Sequence, residues 1–149
     1  MAGKTAPSAS GTTAAIEDYL ERILELIDTK GYARVVDIAA LLGISQASVT
    51  NMVQRMDAEG LIEYEKYRGL ILTASGRSVA QKIALRHGLL TEFLSLLGVD
   101  DATIQHDVEG MEHHISPKTL KAISRLTEFL QNNPALVSSI RSHNQAHDL

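Results

Sequence analysis

The most chemically suggestive stretch of the chain is residues 109–114, with the sequence Glu-Gly-Met-Glu-His-His. If this stretch is helical, Glu109, Glu112 and His113 stand three and four positions apart and project from one face. Carboxylate and imidazole donors suit hard and borderline divalent cations, whereas Cu(I) or an iron–sulfur cluster requires thiolates. His114 points about 100° away from His113 and is not expected to reach the same ion. The stretch therefore predicts a metal site, although an exposed acidic helix face would show the same pattern.

The composition limits the class of protein that carries this motif. The chain has 149 residues, of which 44% are apolar, with no cysteine and a formal net charge of −4. This length suits one domain or two small ones that share a core. No segment approaches the roughly 18 apolar residues of a membrane span, so a soluble, cytoplasmic protein without membrane partners is expected. The lack of cysteine excludes disulfides, a thiol nucleophile and thiolate zinc sites.

Further candidate ligands lie on two other predicted helices. Residues 1–13 are small and polar and predict a disordered tail. From residue 14 to 30 the apolar positions follow the i, i+3, i+4, i+7 pattern of an amphipathic helix, which carries Asp18 and Glu21 and ends at Gly31. A second helix, over residues 74–97, carries His87. Taken singly, the acidic pair is typical of an exposed helix start, and a lone histidine is more often packed than ligating.

The C-terminal third is predicted to be helical. Asp100 or Asp101 is expected to cap the helix that leads into residues 109–114. Ser116 and Pro117 form a typical start signal for another helix, which runs to about residue 130. Asn133-Pro134 breaks that helix, and a short one follows from about residue 135.

Residues 35–60 predict a helix-turn-helix. Ala39, Gly43 and Val49 have its spacing, with a small residue where the helices cross, glycine in the turn and a β-branched residue that packs the second helix on the first. Ser45 is expected to cap the second helix, which Gly60 ends. A plain helical hairpin with a polar surface is the alternative. The solvent side of the second helix carries side chains of the kinds that contact bases and phosphates, namely Gln46, Ser48, Thr50, Asn51, Gln54 and Arg55.

A short hairpin is predicted directly after this helix. Residues 61–65 and 70–73 are expected to form two strands around a turn that contains glycine, which is the arrangement of a wing. Lys66 and Arg68 at its tip would reach phosphates or the minor groove, or else belong to an exposed charged turn. Residues 34–77 carry five basic and five acidic side chains. The acidic remainder of the chain opposes DNA binding, and bound cations would relieve that repulsion.

Taken together, these residues resemble a known family, the diphtheria-toxin-repressor-like metalloregulators, and within it the manganese transport regulators. The resemblance runs from about residue 14 to the 140s and rests on five motifs in one order. They are Asp18-Tyr19-Leu20-Glu21, Lys30-Gly31-Tyr32-Ala33-Arg34-Val35, Tyr64-Glu65-Lys66-Tyr67-Arg68-Gly69, Arg86-His87 and Asp107-Val108-Glu109-Gly110-Met111-Glu112-His113-His114.

The resemblance implies a mainly α fold with a small β-wing. An N-terminal winged helix-turn-helix domain, residues 14–73, would precede an all-helical dimerisation and metal-binding domain, residues 74–149. It also implies a homodimer that binds double-stranded DNA at a palindromic operator and represses manganese uptake genes. Carried over by position, the metal ligands are Asp18, Glu21, His87, Glu109, Glu112 and His113. They would hold two Mn(II) ions per subunit between the first helix and the dimerisation helices, with Fe(II), Co(II), Cd(II) or Zn(II) as substitutes.

Two positions separate manganese from iron within the family. The iron-responsive branch has methionine at the position of Asp18 and cysteine at that of Glu109, and exchanging sulfur for oxygen favours Mn(II). The alternative is a winged-helix regulator that responds to Fe(II) or another ligand, with an acidic cluster that is not a manganese sensor. An enzyme is not expected, because the Glu-x-x-His pairs of di-iron bundles and the His-Glu-x-x-His order of zinc proteases are both missing from the sequence.

Overall fold

The computed structural model describes residues 12–65 and 67–147, and these residues form seven helices and one hairpin. The mainly helical fold with a small wing is thereby confirmed. The chain divides into two compact units, Met1–Gln81 and Lys82–Leu149. In chain order the elements are α1 (Ala14–Lys30), α2 (Val35–Leu42), α3 (Gln46–Ala58), β1 (Ile62–Glu65), β2 (Gly69–Leu72), α4 (Ala74–Leu96), α5 (Asp101–Met111), α6 (Pro117–Gln131) and α7 (Pro134–Ala146).

Helix α1 begins and ends with local capping signals. The Thr13 hydroxyl accepts a hydrogen bond from the Ile16 N–H at 3.4 Å, and Gly31 ends the helix in the left-handed region at φ 81°. Glycine adopts that conformation without the steric cost that a Cβ would bring.

Residues 1–11 of the predicted tail lie outside the described residues. The predicted domain limits at residues 13 and 73 stay predictions.

Helices α2 and α3 form the predicted helix-turn-helix. Gly43 takes a left-handed conformation at φ 65°, and its N–H donates to the Ala39 carbonyl. Ser45 caps α3 by accepting from the Ser48 N–H at 3.2 Å. Ala39 and Val49 are both buried in the core of the first unit, because the turn folds the apolar sides of the two helices together.

No single helix among the described residues has the length and hydropathy of a membrane span. Helices α2 and α3 reach that length and hydropathy only when they are taken together, and the chain bends by 116° between them.

The wing is a regular antiparallel hairpin with a third segment beside it. Ile62 pairs with Leu72 and Tyr64 with Leu70. Ala33, just before α2, forms an isolated bridge with Leu70, whose N–H donates to the Ala33 carbonyl at 2.8 Å. Gly69 has φ 87°, and a Cβ there would collide with the Ala33 carbonyl oxygen. The hairpin is therefore fixed against the start of the helix-turn-helix.

Thr73 joins the base of the wing to α4. Its hydroxyl donates to the Gly60 carbonyl at 2.7 Å and accepts from the Gly76 N–H at 3.0 Å. A Cβ at Gly76 would overlap the Leu61 carbonyl oxygen. The end of α3, the wing and the first turn of α4 consequently pack at backbone contact.

The second unit contains the rest of α4 with α5, α6 and α7. Leu90, Ile104 and Val108 form its small buried core. Asp100 caps α5, and hydrogen bonds from the Thr103 N–H and hydroxyl hold the pKa of its carboxyl below the usual value. Arg141 and Asn144 of α7 donate to the carbonyls of residues 95–97 at the end of α4. These bonds add donors to carbonyls at the end of the helix, where no further helical turn follows.

Candidate metal centre and DNA-binding surface

The acidic and histidine-containing stretch does not lie on one continuous helix, and that expectation is wrong. Helix α5 ends at Met111, and Glu112 is its C-cap, with its N–H bonded to the Val108 carbonyl at 3.0 Å. His113 lies in the turn that follows. Pro117 starts the next helix, with Ser116 extended before it at ψ 153°. A residue before proline avoids the helical region, so α5 has to end first.

Glu112 is the centre of the candidate site within the second unit. Its side chain is fully buried, with 0% exposure. The His87 Nδ1 lies 2.7 Å from Glu112 Oε2, a distance at which an imidazole N–H donates to a carboxylate. The His113 Nε2 lies 3.6 Å from Glu112 Oε1. Two imidazoles from different segments thus flank one buried carboxylate.

Glu109 adds a second carboxylate. Within the second unit, His87, Glu109 and Glu112 each offer a potential ligand atom within 4.8 Å of the other two. Glu109 reaches this position because it precedes Glu112 by three residues, about one helical turn. His114 is exposed and belongs to no such group among the described residues, in line with the expectation that it points elsewhere.

Arg86 holds the turn that carries Glu112 and His113. Its Nη1 donates to the Glu112 backbone carbonyl at 2.9 Å. Because Arg86 and His87 are neighbours on α4, one helix both contacts the Glu112 carboxylate and fixes its backbone. The sequence contains the Arg86-His87 pair, but nothing local to it indicates this contact with a residue 26 positions away.

The remaining two predicted ligands belong to the first unit. Asp18 and Glu21 lie three residues apart on α1, and both are partly buried. Their neighbour Tyr19 is buried, and desolvation raises the pKa of its phenol.

The donor set of the second unit fits a divalent metal ion. Carboxylate oxygens and imidazole nitrogens are the ligands that Mn(II), Fe(II), Co(II) and Zn(II) accept, and the chain has no cysteine to offer sulfur. A buried carboxylate is costly unless charge or hydrogen bonds compensate it. A cation among these side chains would provide that compensation. Its binding would require the imidazoles to be neutral and would release protons.

The predicted DNA-binding side chains of α3 are on the surface. The Ser48 hydroxyl is 2.9 Å from that of Ser45, and the Thr50 hydroxyl donates to the Gln46 carbonyl at 2.9 Å. The other side chains leave their polar ends toward solvent, apart from the weak surface pair of Arg55 with Glu59. All six are exposed: Gln46, Ser48, Thr50, Asn51, Gln54 and Arg55.

The wing tip is also exposed. Arg68 pairs with Glu65 at 3.4 Å, and Tyr67 takes the left-handed conformation of the turn at φ 75°. Gly69, which the sequence placed in the turn, is instead the first residue of β2. Lys66 lies outside the described residues. Arg34 and Tyr64, which were not among the predicted site residues, line an open groove beside the helix-turn-helix.

Two models of one protein family match the chain. "Iron dependent repressor, N-terminal DNA binding domain" matches residues 11–70. "Iron dependent repressor, metal binding and dimerisation domain" matches residues 73–136. Together these matches cover most of the chain.

Individual relatives agree with the family models. The HTH-type transcriptional regulator MntR of Listeria welshimeri is 47% identical over 130 residues, which are 87% of this chain and 92% of that protein. The regulator of the same name from Shouchella clausii is 46% identical over 136 residues, or 91% of this chain and 95% of that protein.

Solved structures of similar fold include metal-responsive regulators, at lower sequence identity. The manganese regulator SloR has a TM-score of 0.69 and 27% identity, covering 76% of this chain. ScaR with bound Zn2+ has a TM-score of 0.67 and 29% identity, again covering 76% of this chain. The chain spans about half the length of these two proteins, 54% of each.

Proposed function

The chain belongs to the iron dependent repressor family, and on that premise we propose that it is a manganese-responsive transcriptional repressor. As a member of this family it is a metal-dependent, DNA-binding and dimerising transcriptional regulator, and not an enzyme. The identity of the metal, the number of ions and the form of the operator are parts of the proposal.

The observation that carries the proposal is the cluster around Glu112. A fully buried carboxylate lies 2.7 Å from one imidazole and 3.6 Å from another, with Glu109 close by. Three of these four residues come from one short segment and the fourth comes from α4. The second unit therefore holds a preassembled set of oxygen and nitrogen donors.

We propose that the full ligand set is Asp18, Glu21, His87, Glu109, Glu112 and His113, and that it takes two Mn(II) ions per subunit. The inclusion of Asp18 and Glu21 rests on the resemblance of the sequence to manganese transport regulators. Four carboxylates suit a two-ion site, because each has two oxygens and can serve two cations. The bound cations would supply positive charge that offsets the negative charge of the four carboxylates.

Manganese rather than iron is favoured by the residue at position 109. Mn(II) lies at the weak end of the Irving–Williams series, so a site selects it through hard oxygen donors rather than intrinsic affinity. Glu109 and Asp18 both provide such oxygens. The resemblance implies that the iron-responsive branch has sulfur-containing residues at these two positions. Fe(II), Co(II), Cd(II) and Zn(II) would still occupy the site in competition with Mn(II).

Regulation would follow from linkage between metal binding and DNA binding. Asp18 and Glu21 belong to the helix that leads into the DNA-binding unit, whereas the other four ligands belong to the metal-binding unit. The two ions held by these six residues would select the arrangements of the dimer in which both α3 helices meet DNA. Coupling of this kind is typically worth about 1–3 kcal/mol, or roughly 5- to 150-fold in affinity.

On DNA, we propose that α3 enters the major groove and contacts bases with Gln46, Ser48, Thr50, Asn51, Gln54 and Arg55. Lys66 and Arg68 of the wing would contact phosphates. A twofold-symmetric dimer requires a palindromic operator, with half-sites spaced by about 10 base pairs or a multiple of that distance. Repression of manganese uptake genes is the regulatory outcome that the resemblance implies.

The test is an equilibrium DNA-binding titration of chelator-treated, full-length protein. Duplexes selected from a random library in the presence of Mn(II) supply the operator. Affinity is measured without metal and with Mn(II), anaerobic Fe(II) or Zn(II), and calorimetry measures metal stoichiometry. Mn(II) is expected to raise operator affinity at least tenfold, with two ions bound per subunit.

Two outcomes would contradict the proposal in different ways. Operator affinity that does not change on adding any of the metals would refute metal-dependent repression. Activation by Fe(II) with none by Mn(II) would retain a metalloregulator and refute the manganese assignment. The control variant Glu128→Gln, at an exposed position of α6, should behave like the wild type in both measurements.

A further inference from the structure

An open groove lies beside the helix-turn-helix in the first unit. Its volume is about 350 Å³. It is bounded by the start of α2, the first residue of α3 and the inner side of the wing. This wing groove is lined chiefly by Arg34, Val36, Gln46, Tyr64, Tyr67 and Leu70.

The wing groove exposes aromatic surface on the core-facing side of the hairpin. Tyr64 pairs with the buried Leu70, and residues directly opposite in an antiparallel pair share one face of the sheet. Tyr64 is nevertheless 71% exposed, and Tyr67 at the tip is 86% exposed. Val36 on the opposite side is 51% exposed. Apolar surface grouped in this way is typical of an interaction site rather than of scattered exposed residues.

The charge of the wing groove is positive. Arg34 is the one charged side chain among the described residues that line it. Its guanidinium lies 4.7 Å from the centre of the Tyr32 ring, with no carboxylate partner in the described part of the chain. By contrast, Arg55 and Arg68 of the same unit are each paired with a glutamate. The groove thus offers an arginine that is held in place by an aromatic ring and free to bind an anion.

We propose that the wing groove holds the sugar–phosphate backbone of one operator strand. In this arrangement the Arg34 guanidinium binds a phosphate, and the Tyr64 and Tyr67 rings pack against the deoxyriboses on either side. The proposal rests on the proposed function, because it extends the DNA-binding surface of α3. Gln46 belongs both to that surface and to the groove, so a strand leaving the major groove at the start of α3 would continue into it.

DNA is favoured over a protein partner by the combination of charge and position. A backbone strand presents regular negative charge with apolar sugar surface between the phosphates, which matches a groove lined by one arginine and two tyrosines. Contacts of this type fix the position of a protein on the duplex without reading its sequence. Arg34, Tyr64 and Tyr67 are therefore positioning residues, and base recognition stays with α3.

The test compares metal-loaded Arg34→Gln and Tyr64→Ala with the wild type on the selected duplex, by fluorescence anisotropy over a range of salt concentrations. Arg34→Gln is expected to weaken binding about tenfold at 0.1 M salt and to flatten the logarithmic salt dependence by about two units, as for the loss of one phosphate contact from each subunit of the dimer. Tyr64→Ala is expected to weaken binding about fivefold with the slope unchanged.

Matched variants separate the groove from general effects. Tyr64→Phe keeps the ring and should bind like the wild type. Lys118→Gln removes one exposed positive charge from α6 in the second unit and should leave the salt dependence unchanged. Hydroxyl-radical footprinting should show one backbone position, beside each half-site, that Arg34→Gln no longer protects. Thermal unfolding and metal titration of each variant confirm that folding and metal binding are intact.

The outcomes distinguish the two proposals. If the wild type binds DNA in a metal-dependent way and both groove variants match it, the groove is not a DNA contact and the groove assignment fails. If the wild type binds DNA equally well without metal, the proposed metal dependence fails and the groove variants still test the groove. If the wild type binds no duplex at all, the proposed function and the groove assignment both fail. Loss of binding by Arg34→Gln equal to that by Lys118→Gln, with the same slope, would also overturn the assignment.

Discussion

Replacing Glu112 by glutamine should remove metal-dependent stabilisation while the metal-free protein stays folded. Glutamine has nearly the same volume, and its amide oxygen can still accept from the His87 N–H that lies 2.7 Å away. The change also removes a negative charge from a fully buried position, which lowers a desolvation cost. The free energy of unfolding of the metal-free variant is therefore expected to lie within about 1 kcal/mol of that of the metal-free wild type.

The effect of Glu112→Gln on metal affinity should be much larger than its effect on the stability of the metal-free protein. Removing groups that only support metal ligands costs about 10- to 100-fold in affinity, so loss of a central ligand should cost at least about 100-fold. At a free metal concentration of about 100 times the wild-type Kd, each bound ion stabilises the wild type by about 2.7 kcal/mol, and an ion bound 100-fold more weakly stabilises the variant by about 0.4 kcal/mol. For a chain of this size these energies correspond to rises in Tm of about 5–11 °C and about 1 °C.

Circular dichroism melts of chelator-treated protein with and without Mn(II) measure the Tm of the metal-free protein and the rise in Tm caused by metal. Calorimetry gives the Kd. The matched variant Glu128→Gln makes the same chemical change at an exposed site and should keep the full metal-induced rise in Tm. A Glu112→Gln protein that folds and retains a metal-induced rise of 5 °C or more would refute the assignment of Glu112 as a ligand.

Three further predictions concern other parts of the chain. Gly76→Ala should destabilise the protein by about 1–3 kcal/mol in urea unfolding, because its Cβ meets the Leu61 carbonyl; Gly88→Ala, with open space around it, should not destabilise it. The stability advantage of wild type over Asp100→Ala should be full above pH 3.8 and decline as pH falls through the lowered pKa of Asp100; an advantage that is constant from pH 6 to 2 would contradict this. Glu109→Cys should raise the ratio of Zn(II) to Mn(II) affinity in competition titrations, since sulfur is the softer donor; an unchanged ratio would exclude Glu109 from the site.

Local signals in the sequence predicted most element boundaries. Gly31 and Gly43 end helices because each adopts a left-handed conformation that glycine tolerates. Ser45 and Ser116 begin helices because their hydroxyls accept from N–H groups three residues ahead. Such signals act within one helical turn, so they are readable without a fold. The choice between Asp100 and Asp101 as the cap of α5 was settled by the structure, in favour of Asp100.

Residue types and spacing therefore predicted the helix-turn-helix, the wing and the chemical class of the candidate metal donors. The arrangement around Glu112 was decided by tertiary structure, because its two contacts with α4 come from residues 25 and 26 positions earlier in the chain. The same holds for the bridge from Ala33 to Leu70 and for the wing groove beside it. Periodicity reports which side of an element is apolar, but burial and close approach depend on which distant element covers that side.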